Sequence, residues 1–435
     1  MIPELRKNFN ANYSPEGYDA LLAATETQTG TRVEFRVAET PIFLPATLLE
    51  SIADAGAQLA RQLLGWPEYL AAAQESVPDG FRVAGNSAHP NFLTADFALV
   101  RNQDGSLAPK LVEMQAFPSV YAYQVMLGHA YRAAFGLPDS LRNFLGGLDE
   151  KSFWELFRRT VLGNHAPENV VLTEVDPFHQ KTLPDFLLTA SALGIAVVDI
   201  ASLVPIGDKL HYRNREGNLV PIHRIYNRAI ADEMIARKVE LPFSLEHPWE
   251  VEWAGHPNWY FLISKYSIPW LSNPPVSASR DKIGQASAEA ASAVVPPAVF
   301  LSDFLEGQGE AWLRAGGVPL PDSADPHRVY DQLLLKPLFS FAGKGIQFEP
   351  SHADLLAIPK EHRGDYLLQQ RMYFVPTIET PHGLTQAEIR ILYLWPDGGV
   401  LTPALSLVRL GRGKMMGVDH NRNQLWVGAS AAFWQ

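Results

Sequence analysis

The feature that most constrains the fold is the alternation between residues 170 and 200. VVLTEV reads as a strand, KTLPDFLLTASALG as a helix closed by Gly194, and IAVVDI as the next strand. A strand, helix, strand order with a glycine at the helix end points to a parallel βαβ layer, because a crossover helix is the usual way to return the chain to the same edge. RIYNRAIADEM then reads as a strand end running into a helix. Leu241 to Tyr260, rich in Pro, Trp and His, reads as irregular.

The flanks have a different texture. Residues 44 to 74 carry apolar side chains at helical spacing and read as one amphipathic helix or two. TADFALV (94–100) and KLVEM (110–114), with RNQDGSLAP between them, read as a β-hairpin. In the last third, DKIGQASAEAASA is a helix candidate and AVVPPAVFL a turn into a strand. Residues 330 to 375 give strand, Gly-rich turn, strand, loop and strand, and EIRILYLWPDGGVLTPALSLVRL a hairpin about Asp-Gly-Gly. The expected fold class is α+β with α/β lobes, divided as 1–165, 166–260 and 261–435. A chain of 435 residues, 47% hydrophobic and 19% charged, is long enough for more than one core.

Composition removes several function classes. A net charge of -11 argues against non-specific nucleic-acid binding, which needs clustered Lys and Arg to displace counterions. The absence of cysteine excludes disulfides, thiolate metal sites and a cysteine nucleophile. The N-terminus lacks an apolar run of signal-peptide length, and no stretch approaches the roughly 20 apolar residues of a membrane span, so the cytoplasm is the expected compartment and no membrane partner is expected.

Chemistry is concentrated in LLLKPLFSFAGKGI, residues 333 to 346. A hydrophobic strand delivers Lys336, and a loop with Gly343 and Gly345 follows. Such glycines let backbone N–H groups approach phosphate oxygens, and the lysine supplies a point charge. The spacing is neither that of a Walker A loop nor of a Rossmann fingerprint. Taken alone, the segment equally describes a plain β-hairpin with a flexible tip. Asp96, Glu113 and Gln115 are a second group: hard oxygen donors, with Glu113 and Gln115 on one face of a strand and Asp96 on a neighbouring one. As turn or strand-end acids they have a blander reading. The histidines, His89, His179, His223 and His420 among them, show no metal-binding spacing and read as structural.

Order and spacing together resemble the ATP-grasp superfamily. Asp281-Lys282 opens a helix, Val295-Pro296-Pro297 leads into a strand, Lys336 precedes the Gly-rich loop, and Leu367-Leu368-Gln369-Gln370 ends a strand. The resemblance implies an ATP-grasp fold whose middle segment is a substrate lobe. It also implies that Lys282 and Lys336 hold phosphates, that Gly343, Lys344 and Gly345 form a lid, and that Gln369 and Gln370 form an adenine hinge. The hairpin with Asp96 and Lys-Leu-Val-Glu-x-Gln is similar to the metal hairpin of the permuted group that includes glutathionylspermidine synthase and eukaryotic-type glutathione synthetase. That likeness implies Mg²⁺ at Asp96, Glu113 and Gln115, although Gln115 stands where the group has Asn. The C-terminal run is also similar to the end of unpermuted ATP-grasp ligases, which would place metal on Glu388, Asn421 or Asn423. Of the two placements Asp96 and Glu113 are preferred for the metal, with Arg390, Arg409 and Arg412 binding the transferred phosphate or a carboxylate, and Arg228 would face the acceptor or the phosphates, or form a salt bridge.

The activity implied is ATP-dependent joining of a small-molecule carboxylate to an amine through an acyl-phosphate. With no cysteine, the amidase of bifunctional glutathionylspermidine enzymes is not expected. A phosphotransferase and a nucleotide-binding module without turnover are the alternatives.

Overall fold

A computed structural model describes residues 1–85, 87–102, 104–272, 293–340, 343–417, 421 and 423–435. Among them, strands β1 to β18 form four sheets. β1 (Ile42–Leu44), β2 (Phe92–Arg101) and β3 (Leu107–Gln115) come from the N-terminal part. β4 (Val170–Glu174), β5 (Ala196–Asp199), β6 (Val204–Ile206), β7 (Lys209–Arg213), β8 (Leu219–Pro221), β9 (Arg224–Asn227) and β10 (Glu252–Ala254) follow in the middle. β11 (Ala298–Phe300), β12 (Leu333–Pro337), β13 (Gln347–Phe348), β14 (Tyr366–Gln370), β15 (Ile378–Thr380), β16 (Gly383–Leu394), β17 (Thr402–Gly411) and β18 (Gly428–Trp434) complete the chain.

The seven-stranded central sheet runs β1-β18-β17-β16-β2-β3, with β15 also paired to β16. Its strands come from both the 1–165 and the 261–435 segments, so the two ends of the chain build one layer. β2 and β3 are the expected hairpin, and β16 and β17 the hairpin about Asp397-Gly398-Gly399. Alternation divides the faces. Odd positions on β2 and β16, such as Ala95 and Tyr393, pack under the helix Ala46–Leu64, where Tyr393 donates to the Ala53 carbonyl at 2.7 Å. Gly56 is required there: a Cβ would stand 2.2 Å from the Tyr393 hydroxyl. Even positions face the other way, toward the helix Tyr121–Phe135 and the parallel sheet; Leu392 and Phe92 share a core with Tyr121 and Leu172. The amphipathic 44–74 segment breaks into Ala46–Leu64 and Pro67–Gln74, since Pro67 takes the first position of a new helix.

The parallel layer is present, in the order β10-β9-β4-β5. The helix Leu183–Leu193 makes the crossover and ends at Gly194, whose φ of 74° lets its N–H reach the Ala190 carbonyl at 2.9 Å. The 241–260 segment, expected to be irregular, contributes β10, three residues paired to β9. A third sheet, β11-β14-β12-β13, is antiparallel and carries the Lys336 strand. Its core is Val299, Leu335, Leu368 and Tyr330. Among the described residues no helix is long and apolar enough to cross a membrane.

Candidate functional site

The ladder of the central sheet fixes a set of charges on its even face. Asp96 on β2 lies opposite Arg390 on β16 and opposite Glu113 on β3. One step along, Glu388 on β16 lies opposite Arg409 on β17. Cross-strand partners sit about 5 Å apart, so these pairs follow from register and need no long side-chain excursions. Arg390 grips Asp96 with Nε at 2.5 Å and Nη2 at 2.6 Å. Arg409 Nη1 donates to Asp96 Oδ2 at 3.2 Å and to Glu388 Oε1. Glu113 stands 3.7 Å from Arg390 and 3.4 Å from Lys265.

Burial and charge oppose each other here. Asp96 is 1% exposed, which alone would push its carboxyl up; Arg390 and Arg409 outweigh this and hold it below the ordinary range. Burial raises the Glu388 carboxyl to about 7, because Arg409 only partly offsets the loss of water and Asp96 and Glu113 repel its charge. Burial works against the Arg409 charge, but Asp96 and Glu388 more than restore it.

Lys336 joins this cluster from the third sheet. It is buried, donates to Gln369 Oε1, and lies 3.5 Å from the Val112 carbonyl on β3. Burial lowers its ammonium to about 8, with Glu113 raising it and Lys265 lowering it. Gln369 points at the lysine, and its own Nε2 is buried without a partner among the described residues. Gln370 ends β14 with its backbone N–H on the Pro297 carbonyl at 2.7 Å. Gly343 and Gly345 have φ of 72° and 75°, conformations an L side chain rarely adopts. Gly343 lies against Met415 of the loop after β17. Lys344 is exposed on the same turn.

The remaining candidates divide. Arg228, just past β9, donates to Asp185 Oδ2 at 3.0 Å and to the Ser119 carbonyl at 2.6 Å, and packs over Phe186. Ser119 also lies 3.5 Å from Arg390 through its hydroxyl, so the two arginines meet at that residue. Arg412 turns elsewhere, to the Leu425 carbonyl and the Thr380 hydroxyl. Asn421 donates to the Met415 carbonyl at 3.0 Å, and Asn423 is exposed. Gln115 is half-buried near the end of β3, opposite Thr94. Lys282, with Asp281, lies outside the described residues.

Sequence reasoning missed Lys265. It is 4% exposed, anchored to the Ser340 carbonyl at 2.6 Å, and ties the loop after β12 to Glu113. Its signal was a single cation inside the apolar run WYFLISKYSIPWL. Ser119 and Asp185 carried no signal, since only the fold brings them to Arg228.

The donor set does not fit a protein-held Mg²⁺ in this arrangement. Both Asp96 oxygens are taken by guanidinium groups, Glu388 is paired to Arg409, and no three His, Asp or Glu side chains among the described residues converge as metal ligands. Four cations, Lys265, Lys336, Arg390 and Arg409, meet three carboxylates, Asp96, Glu113 and Glu388. The balance favours an anion.

No protein-family model matches the chain, and no curated protein does. Among solved structures it is similar to a glutathione synthetase-like effector from Globodera pallida in its apo form, with a TM-score of 0.53 at 11% identity, covering 97% of this chain and 99% of that one. A putative gamma-glutamylcysteine synthetase from Methylobacillus flagellatus aligns over 86% of this chain and 85% of its own at 13% identity, with a TM-score of 0.36. The chain therefore has a mixed α+β structure that matches the glutathione synthetase-like, ATP-grasp fold.

Proposed function

We propose that the chain is an ATP-dependent carboxylate–amine ligase working through an acyl-phosphate. The observation that carries this reading is the meeting of Lys336 and Lys265, at the lid, with Arg390 and Arg409 of the central sheet, on a glutathione synthetase-like fold. A cluster of buried cations suits a polyphosphate, and such cations gain strength from the water they exclude. Lys336 and Lys265 would hold phosphates, and the glycine turn at 343–345 would cover them. Arg390 and Arg409 would neutralise charge on the transferring phosphoryl group. A substrate carboxylate oxygen attacks the γ-phosphorus and the bond to the bridging oxygen of ADP breaks. The amine nitrogen then forms the bond to the acyl carbon, phosphate leaves, and the amine proton is lost to phosphate or solvent.

Replacing the Lys336 ammonium by an apolar group of similar length tests the site. Lys336→Met is expected to weaken ATP binding by about tenfold or more, the worth of one charge-assisted hydrogen bond, measured by calorimetry. Unchanged affinity would remove Lys336 from the site. Glu113→Ala is expected to abolish ADP release while ATP binding partly survives. ADP release screened over carboxylate and amine pairs tests the chemistry: release that needs both partners supports a ligase, and release without an amine indicates a phosphotransferase. A second reading, nucleotide binding without turnover, is favoured by the arginines that occupy both oxygens of Asp96. ATP binding with no ADP release for any pair would establish it.

A further inference from the structure

Resting on the nucleotide reading above, we propose that this pocket recognises phosphate without any divalent cation held by the protein, with Arg390 and Arg409 standing in the place of metal ions and Asp96, Glu113 and Glu388 acting as their positioning residues. Asp96 and Arg390 are opposite each other in the β2–β16 ladder, and Glu388 and Arg409 in the β16–β17 ladder. Both pairs are therefore built into the sheet, and a cation could reach Asp96 only by displacing a bidentate guanidinium from a carboxylate that is 1% exposed. Removing a partner from a buried ion pair is strongly unfavourable, because it leaves an uncompensated charge out of water.

The donors left over point the same way. Arg409 uses Nη1 on its two carboxylates, and among the described residues its Nε and Nη2 have no protein partner, while its side chain keeps 21% exposure. Lys336 keeps one proton beyond its partners Gln369 and Val112, while Lys265 is satisfied by Ser340 and Glu113 and adds its charge beside it. A guanidinium edge beside a buried ammonium group matches phosphoryl oxygens, and an Arg fork is suited to two of them. The neighbouring carboxylates hold those cations in place.

The test compares ATP and inorganic triphosphate binding to the full chain in millimolar EDTA and in millimolar Mg²⁺, together with Mn²⁺ binding to the protein alone followed by electron paramagnetic resonance. The expected result is affinity in EDTA within about threefold of that in Mg²⁺ or tighter, and no Mn²⁺ site tighter than millimolar. Arg409→Gln is expected to weaken triphosphate binding at least tenfold in both media, with Arg409→Lys intermediate; if Arg409→Gln does not fold, Arg409→Lys against wild type carries the comparison. Binding only with Mg²⁺, or a submillimolar Mn²⁺ site lost in Asp96→Asn, would overturn this proposal and leave the nucleotide reading standing. Absence of binding in both media would overturn the nucleotide reading and this one together.

Discussion

Glu174 ends β4, one of the two inner strands of the parallel sheet, and is 5% exposed. Burial pushes its carboxyl up to about 8; the Val175 N–H, which donates to it at 2.7 Å, and Arg228 offset only part of that. In the folded chain it therefore holds a proton that the unfolded chain releases near its ordinary value of 4.5. Between about 4.5 and 8 the folded state binds more protons than the unfolded one, so stability from this group falls as pH rises through that window. The loss is at most about 1.4 kcal/mol per pH unit. Glu174→Gln keeps the acceptor for Val175 and has no proton to lose. Its melting temperature is expected to match wild type near pH 5 and exceed it near pH 8, and equal differences at both pH values would show that the group is charged when folded. The same residue-scale physics decided which parts of the site were legible. Lys336 and its glycines stood out because charge and backbone freedom interrupt an apolar strand. Lys265 and Asp185 did not, because their partners, Glu113 and Arg228, are distant in the chain.

At the scale of the element, the 343–345 turn is a test of the lid. Gly343→Ala places a Cβ on a residue with φ of 72°, at about 1–2 kcal/mol of backbone strain. That Cβ would also stand 2.3 Å from Met415 Cε, the mobile tip of a flexible side chain that can turn aside. The turn lies outside the buried core, so the melting temperature is expected to change little while the Kd for ATP rises about tenfold, the equivalent of about 1.4 kcal/mol. A large fall in melting temperature with unchanged Kd would make the turn a structural hairpin tip. Most elements with strong periodicity were readable: the βαβ unit, the β2–β3 and β16–β17 hairpins and the Lys336 strand. β10 was not, because Glu252–Ala254 is three residues long and becomes a strand only by pairing with β9. The helix break at Gly65-Trp66-Pro67 was readable in kind, as one helix or two, since proline fixes where a second helix begins.

At the scale of the whole molecule, the central sheet is closed by the last strand. β18 pairs antiparallel with β17 and parallel with β1, and every residue from Gly428 to Trp434 is buried. Trp434 exchanges backbone hydrogen bonds with Arg142, and the Gln435 carbonyl accepts from Ala46 at the start of the helix that covers the odd face. Register hid this from sequence: nothing in GASAAFW names β1 as its neighbour, since the pairing joins residues 42–44 to 432–434 across nearly the whole chain. Without β18, β1 loses its only partner in the sheet among the described residues, β17 gains an unpaired edge, and Phe43 and Trp426 lose Phe433 from their shared core. A domain is stable by only roughly 5–15 kcal/mol, and losing a fully buried strand removes a large part of that margin. A chain ending at residue 427 is therefore expected to lose cooperative thermal unfolding by circular dichroism and to aggregate through the exposed edge of β17. The Arg409 and Glu388 pair lies on the two strands next to that edge, so nucleotide binding should vanish with it. A truncated chain that melts cooperatively near the full-length temperature and still binds ATP would show that the site rests on β2, β16 and β17 alone, and that the two ends of the chain are not one unit.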